Sequence, residues 1–261
     1  MNENKTRYYD KTRRHYIFQN EKANGKSTIK SSKAKRVEFE CIKESNIGYH
    51  QRNEEWLHLI DTYRQKIQIL KNPIPSENNV FKMFELLPYD SIKVVIIGQE
   101  PYRTKCNITK INYSCGPAFM IPDSVKTCPV SLKNLLSELA REYKLRKSVS
   151  IKYVKDIVKH WIYQGVFLTN VSLTIGDTST YLDDHKMFWM SFMISFLQCL
   201  SDIECPIVLL GTEAWELSKF ISEKNPVLKF PHPSSRNNDF LNCGIFEKVN
   251  KILADPIIWF I

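Results

Sequence analysis

The sequence predicts an α/β fold of three layers, with helices on both faces of a central, mostly parallel four-stranded sheet. Three observations predict it. Four short runs, at 92–97, 166–169, 207–210 and 227–230, are apolar at nearly every position, as strands covered on both faces must be. Stretches with helical spacing of apolar residues lie between them. Strands that alternate with helices also imply parallel crossovers.

The elements follow in order along the chain. Composition changes near residue 50, which separates a basic tail, 1–50, from a folded domain, 51–261. Asn53 is placed to cap a first helix, because Trp56, Ile60, Tyr63, Ile67 and Leu70 step by four and three behind it, and Pro73 and Pro75 stop it. The run at 92–97 is the first core strand. Ser131 is placed to cap a helix that carries Leu132, Leu135, Leu136 and Leu139 on one face. Further helices are expected at about 154–163, 184–201, 213–224 and 244–253. The most apolar stretch, "MFWMSFMISFLQCL" at 187–200, is interrupted by Ser191, Ser195 and Gln198 and is too short to span a bilayer. It reads as a buried helix.

Bulk composition narrows the function. Apolar residues at 43% with 12% aromatic mark a globular chain. Of the net charge of +9, residues 1–36 carry +8, from 11 Lys/Arg against three acids, so the folded part is close to neutral. Such a tail is expected to be disordered and suits nucleic-acid binding or a nuclear address. Seven cysteines, an odd number without a C-x-x-C pair, argue for reduced thiols in the cytosol or nucleus. Cys106, Cys115 and Cys128 lack tight pairing and a fourth ligand, so no metal is expected. The charged opening and the lack of an apolar segment behind it argue against a secretory signal.

If the four strands run parallel, the residues that follow them meet along one edge, where open α/β sheets bind ligands. Those residues are GQEPYR (98–103), Asn170, Gly211 with Thr212, and PHPSS (231–235). Together they offer the Glu100 carboxylate, the His232 imidazole, the Asn170 and Gln99 amides, and the rings of Tyr102 and of Phe119 in "CGPAFM". No serine sits in a nucleophile elbow and no Walker lysine is present, so acyl, phosphoryl and hydride transfer find little support. An amide beside an aromatic face is suited to reading a planar heterocycle, since the ring stacks while the amide bonds its edge.

Six segments in this order, "LPYDSIKVVIIGQEPYR", "GPAFMI", "CPVSLKNLLSEL", "QGVFLTNVSLTI", "PIVLLGTEA" and "PHPSS", resemble the successive motifs of the uracil-DNA glycosylase family, in the branch that acts on both single- and double-stranded DNA. The resemblance covers roughly residues 56–261 and leaves out the basic tail. It implies a monomeric DNA-repair enzyme that needs no cofactor or metal, flips uracil out of DNA and hydrolyses its N-glycosidic bond to leave an abasic site. It implies work in the nucleus, a host nucleus for a viral chain, or the cytoplasm, with replication proteins as further partners. Gln99 would bond the uracil edge through its backbone or side chain. Tyr102 would block the space beside ring carbon 5, Phe119 would stack on the base, and Asn170 would read its Watson–Crick edge. His232 would donate to uracil O2, and Glu100 would position water and stabilise the positive sugar. Ser131, Gly211, Thr212, Ser234 and Ser235 would grip phosphates, and Arg236 would enter the duplex.

The chain departs from the family's pattern at three places. Glu100 stands where aspartate is usual, one methylene longer, which implies reduced activity because catalytic groups need placement within about half an ångström. Arg103 replaces a histidine, and Ser235 with Arg236 replaces the Pro-Leu of an apolar wedge. The alternative reading is a weak or inactive member that serves as a DNA-binding replication or repair scaffold.

Overall fold

The computed structural model describes residues 8–10, 15–17, 45–105, 110–145, 151–176 and 182–260. The chain divides into two compact units, Met1–Asn53 and Glu54–Ile261. In the first, Tyr8–Asp10 pairs antiparallel with His15–Ile17, and residues 45–50, expected to belong to the disordered tail, are helical; the disorder expected of the rest of the tail concerns residues outside those described. Helix α1 spans Ser45–Lys66. Asn53 therefore lies inside α1 and does not cap it. Residues 45–52 contain no proline, and an asparagine within a helix costs less than about 0.7 kcal/mol, so the helix runs through the expected cap.

The second unit is built on a sheet of four parallel strands, β2 (Val94–Gly98), β3 (Val166–Asn170), β5 (Ile207–Leu210) and β6 (Val227–Phe230), in the order β3-β2-β5-β6. A two-residue antiparallel pair, β1 (Pro73–Ile74) with β4 (Ile175–Gly176), lies apart from it; segments so short leave no periodic trace in sequence. Helices α2 (Val130–Glu142) and α3 (Ile151–Tyr163) connect β2 to β3, α4 (Leu182–Cys199) connects β4 to β5, α5 (Thr212–Trp215) follows β5, and α6 (Ile245–Asn250) follows β6. Helix α2 begins at Val130 behind Pro129 without a side-chain cap. Ser131 is therefore within its first turn, where its hydroxyl is directed elsewhere. The helix expected over 213–224 is only the four residues of α5 and a 3₁₀ turn, Glu216–Phe220.

Strand order decides which helix covers which face. The chain leaves β2 toward β3, then returns past β2 to β5. Right-handed crossovers put the helices of opposite moves on opposite faces, α2 and α3 on one and α4 on the other. Two aromatic clusters fit this division. Trp56, Phe84, Phe167, Phe192 and Phe196 pack together at ring-centroid separations between 5.0 and 6.2 Å. Trp161 of α3, Phe246 of α6 and Trp259 form the second cluster. Each fully buried ring of this kind contributes roughly 1.5–3 kcal/mol. Strands β2, β3 and β5 are buried throughout, whereas β6 buries only Phe230; β3 and β6 are both edge strands, but α3 packs against β3.

A buried carboxylate fastens α2 to the loop before α6. Glu138 is fully buried and accepts from Arg141 at 2.8 Å twice, from Asn242 N–H at 2.7 Å and from Gly244 N–H at 2.8 Å. Glu142, one turn on, accepts from the N–H groups of Phe246 and Glu247 at 3.2 and 2.7 Å. Among the described residues, no helix is long and apolar enough to cross a membrane.

Candidate active site

The parallel register aligns the strand ends. Gly98 pairs with Asn170 across β2 and β3, Ile97 with Leu209 across β2 and β5, and Leu210 with Phe230 across β5 and β6. The loops after all four strands leave from one edge, and the direction of the connections reverses between β2 and β5, where α/β sheets open a crevice. A cleft of about 220 Å³ lies there, lined by Gln99, Glu100, Tyr102, Arg103, Phe119, Ser131, Asn170, His232 and Ser234, with Gly98, Pro101, Ser114, Pro117 and Ala118 between them. Its size is below the ~300–1,000 Å³ of pockets that take drug-sized ligands.

Most of the residues singled out from sequence thus share one cleft: Gln99, Glu100, Tyr102, Phe119, Ser131, Asn170, His232 and Ser234 line it. Four do not. Gly211 stands behind His232: at φ +87° a Cβ there would lie 2.8 Å from the His232 Cβ. Thr212, Ser235 and Arg236 lie outside the lining, Thr212 and Arg236 exposed.

Each wall of the cleft is held by specific contacts. The pairing of β2 with β3 continues past the strands, with Val171 N–H donating to Gly98 O at 2.9 Å and Ser172 N–H to Gln99 O at 3.2 Å. The Gln99 side-chain amide donates to Glu213 of α5, whose Oε1 also receives Lys186 Nζ of α4 at 3.1 Å. With its carbonyl and NH₂ so engaged, Gln99 has its backbone N–H to offer a ligand. Gly98 packs edge-on to Asn170: an added Cβ would meet Asn170 Oδ1 at 2.5 Å and Phe119 Cζ at 3.5 Å. Phe119 is buried at φ +62°, a backbone setting that non-glycine residues seldom adopt and that gathers at functional sites. Its neighbour Ala118 donates its N–H to Leu168 O of β3 at 3.2 Å, which holds the loop against the sheet.

The Ser131 hydroxyl donates to Tyr102 Oη at 3.3 Å, and burial pushes the Tyr102 phenol well above its ordinary 10 despite that bond. Tyr102 therefore stays neutral. The His232 loop is tied to α2 by Asn134 Nδ2, which donates to Pro233 O at 2.7 Å. Ser234 N–H donates to His232 Nδ1 at 3.2 Å, and the Ser234 hydroxyl lies 2.8 Å from the same nitrogen. Because Nδ1 accepts, the ring proton sits on Nε2. Burial lowers the His232 pKa from its ordinary 6.5, against the smaller opposing pull of Glu100 and Glu213. The imidazole is thus neutral at pH 7, with one N–H available to donate.

Glu100 is partly buried and ion-paired. Arg103 Nε donates to Oε1 at 3.2 Å, and Arg103 NH2 reaches Oε1 at 3.0 Å and Oε2 at 3.1 Å. Chemically, the cleft combines a flat aromatic wall, an amide edge, a neutral imidazole donor and an anchored carboxylate. Among the described residues no group of three or more metal-ligating side chains gathers; Cys106 lies outside them. Sequence reading missed Glu213, Lys186 and Asn134. Glu213 stands two residues beyond Gly211, in a segment already suspect, but Lys186 and Asn134 are mid-helix residues without a local signal.

Comparison with known proteins is consistent with this geometry. Residues 84–254 match the family model of the uracil DNA glycosylase superfamily. A uracil-DNA glycosylase of Psychromonas ingrahamii is 31% identical over 222 residues, covering 80% of this chain and 96% of that protein. One from Buchnera aphidicola is 32% identical over 208 residues, covering 76% and 89%. Among solved structures, mimivirus uracil-DNA glycosylase aligns with a TM-score of 0.64 at 25% identity, over 83% of this chain and 85% of that one.

Proposed function

The chain belongs to the uracil DNA glycosylase superfamily and excises uracil from DNA in repair; we propose that it hydrolyses the N-glycosidic bond of an extruded deoxyuridine, with the cleft residues dividing the work. The observation that carries this division is the single cleft shared by Tyr102, Phe119, Asn170, His232 and Glu100. The base stacks on Phe119. Asn170 accepts from N3–H and donates to O4, whereas cytosine presents the reverse pattern and would leave buried polar groups unpaired. Tyr102, neutral and steadied by Ser131, fills the space beside carbon 5 and excludes a methyl group.

As the bond between C1′ and N1 breaks, its electron pair leaves with uracil and positive charge grows on the sugar. His232 Nε2–H donates to O2, where the negative charge collects, and a neutral imidazole suffices because the donor is already in place. The Gln99 N–H supports the same edge. Glu100 stabilises the sugar cation and orients the water that adds to C1′, leaving an abasic site. Thr212, Ser234, Ser235 and the Gly211 backbone hold phosphates beside the extruded nucleotide, and Arg236 reaches the duplex. A charged residue is a poorer wedge than an apolar one, so single strands, which need little unstacking, are the better substrate. We take a monomer as the working unit, since every group used comes from one chain. The bacterial sources of the matched relatives go with cytoplasmic action, and the nuclear address read from the basic tail finds no support in them.

Release of uracil from a labelled single-stranded oligonucleotide is the direct test. His232→Ala and Asn170→Ala are expected to slow release by about 10²–10³-fold, the usual cost of a lost donor to a developing anion. Release at background level by the native chain, with DNA binding retained, would instead identify a scaffold.

A further inference from the structure

We propose that Arg103 is a positioning residue: it grips the Glu100 carboxylate in a two-pronged fork, so that Glu100 and Arg103 act as one unit in the cleft. This rests on the excision reading above. Arg103 Nε and NH2 lie along the two carboxylate oxygens at 3.2 and 3.1 Å, with NH2 also 3.0 Å from Oε1. A planar guanidinium bound in this way fixes the carboxylate's plane as well as its place. Glutamate needs such a device, since its extra methylene adds a rotatable bond to a group that must be held closely. Buried Pro101 stiffens the turn between the two partners, and both line the cleft. His232, on the loop after β6, is near enough to feel the charge of this carboxylate.

The pair is not placed there for stability. The Arg103 side chain is 47% exposed and that of Glu100 24%, and ion pairs so open to solvent contribute little to folding. The two departures from the family's first motif are then one coupled change: the longer acid is usable because the arginine replaces a residue that offers no fork. On this basis, shortening the acid alone moves the carboxylate out of the guanidinium's reach and lowers activity.

Single-turnover and steady-state excision from a uracil-containing single strand test this. Arg103→Ala is expected to lower kcat by about 10- to 100-fold, the cost of a carboxylate misplaced by about an ångström, with KM little changed and the melting temperature unaltered. Arg103→Lys, which keeps the charge without the fork, should recover only a small part. Glu100→Gln should lose activity, and adding Arg103→Ala to it should cost nothing more, as for residues acting as a unit. Glu100→Asp should fall below the native chain. A rise in KM with kcat intact would show that Arg103 holds DNA instead, and a gain in kcat in Arg103→Ala or Glu100→Asp would show that the pair restrains the acid; additive losses in the double variant would likewise overturn the proposal. No release by the native chain would remove the excision reading and this proposal together, a result distinct from any of these.

Discussion

At the scale of single residues, the cleft depends on close fits that leave little slack. Gly98 is the tightest. A methyl group there would stand 2.5 Å from Asn170 Oδ1, and such a distance is relieved only by moving the amide that reads the base. Gly98→Ala is expected to fold, at an overpacking cost of about 1–3 kcal/mol, yet to lose roughly 100-fold in excision because the reading amide is displaced. Circular dichroism and the single-strand assay together separate these effects. His232 sets the pH behaviour. Its folded pKa is lowered from 6.5, first by burial, with Glu100 and Glu213 pulling the other way. On acidification the unfolded chain therefore takes up this proton first, so the contribution to stability is full above pH 6.5 and is lost as pH falls below it. Protonation would also set Nδ1–H against the Ser234 N–H that now donates to it. An NMR titration of His232 should place its midpoint below 6.5; a midpoint above that value would show that the carboxylates outweigh burial.

At the scale of elements, two helices far apart in sequence are joined by carboxylates rather than by apolar packing alone. Glu138 of α2 satisfies the Asn242 and Gly244 N–H groups ahead of α6, and Glu142 those of Phe246 and Glu247 within it. This matters to the cleft because α2 also carries Ser131 and Asn134, which steady Tyr102 and the His232 loop. Burial pushes the Glu138 carboxyl upward, but Arg141 and the two N–H groups outweigh it and leave the pKa below 4.5. Its contribution is therefore present above pH 4.5 and is lost as pH falls below it. Glu138→Ala would leave two backbone donors without a partner, at a cost of roughly 1–3 kcal/mol. Urea unfolding at neutral pH should register that loss, and the difference between variant and native chain should shrink in acid.

At the scale of the whole molecule, charge is divided unevenly, with most of the net +9 in residues 1–36. A cleft in a nearly neutral domain gains little long-range attraction for DNA, whereas a cationic tail adds phosphate contacts without specifying sequence. Removal of residues 1–50 is expected to weaken DNA binding at low salt and to flatten the slope of log K against log salt by about 0.7 for each single-strand phosphate that the tail no longer neutralises. Binding measured at several salt concentrations tests this, and an unchanged slope would exclude the tail from the DNA interface.

Much of this protein is legible in its amino-acid order. Four runs apolar at nearly every position pointed to cover on both faces, and their alternation with helices to parallel crossovers, so GQEPYR, Asn170, Gly211 and PHPSS were expected to share an edge. The periodicity of burial settles such matters locally, because each strand's pattern records its own two neighbouring layers. What it does not record is how fully each edge strand is covered, so β6 reads as a core strand although only Phe230 is buried, while β3 at the other edge is buried throughout. Nor does it record contacts between distant parts of the chain. Gln99 meets Glu213 across 114 positions, Asn134 meets Pro233 across 99, and Gly98 is constrained by an amide on the neighbouring strand. Glu100 and Arg103 are three residues apart, yet a turn can direct two side chains together or apart, and only the folded backbone selects the fork. The sequence determined the sheet and the edge at which its loops meet. Tertiary structure alone decided the fine geometry of the site, because hydrogen bonds and steric fits depend on distances that exist only after the chain has closed on itself.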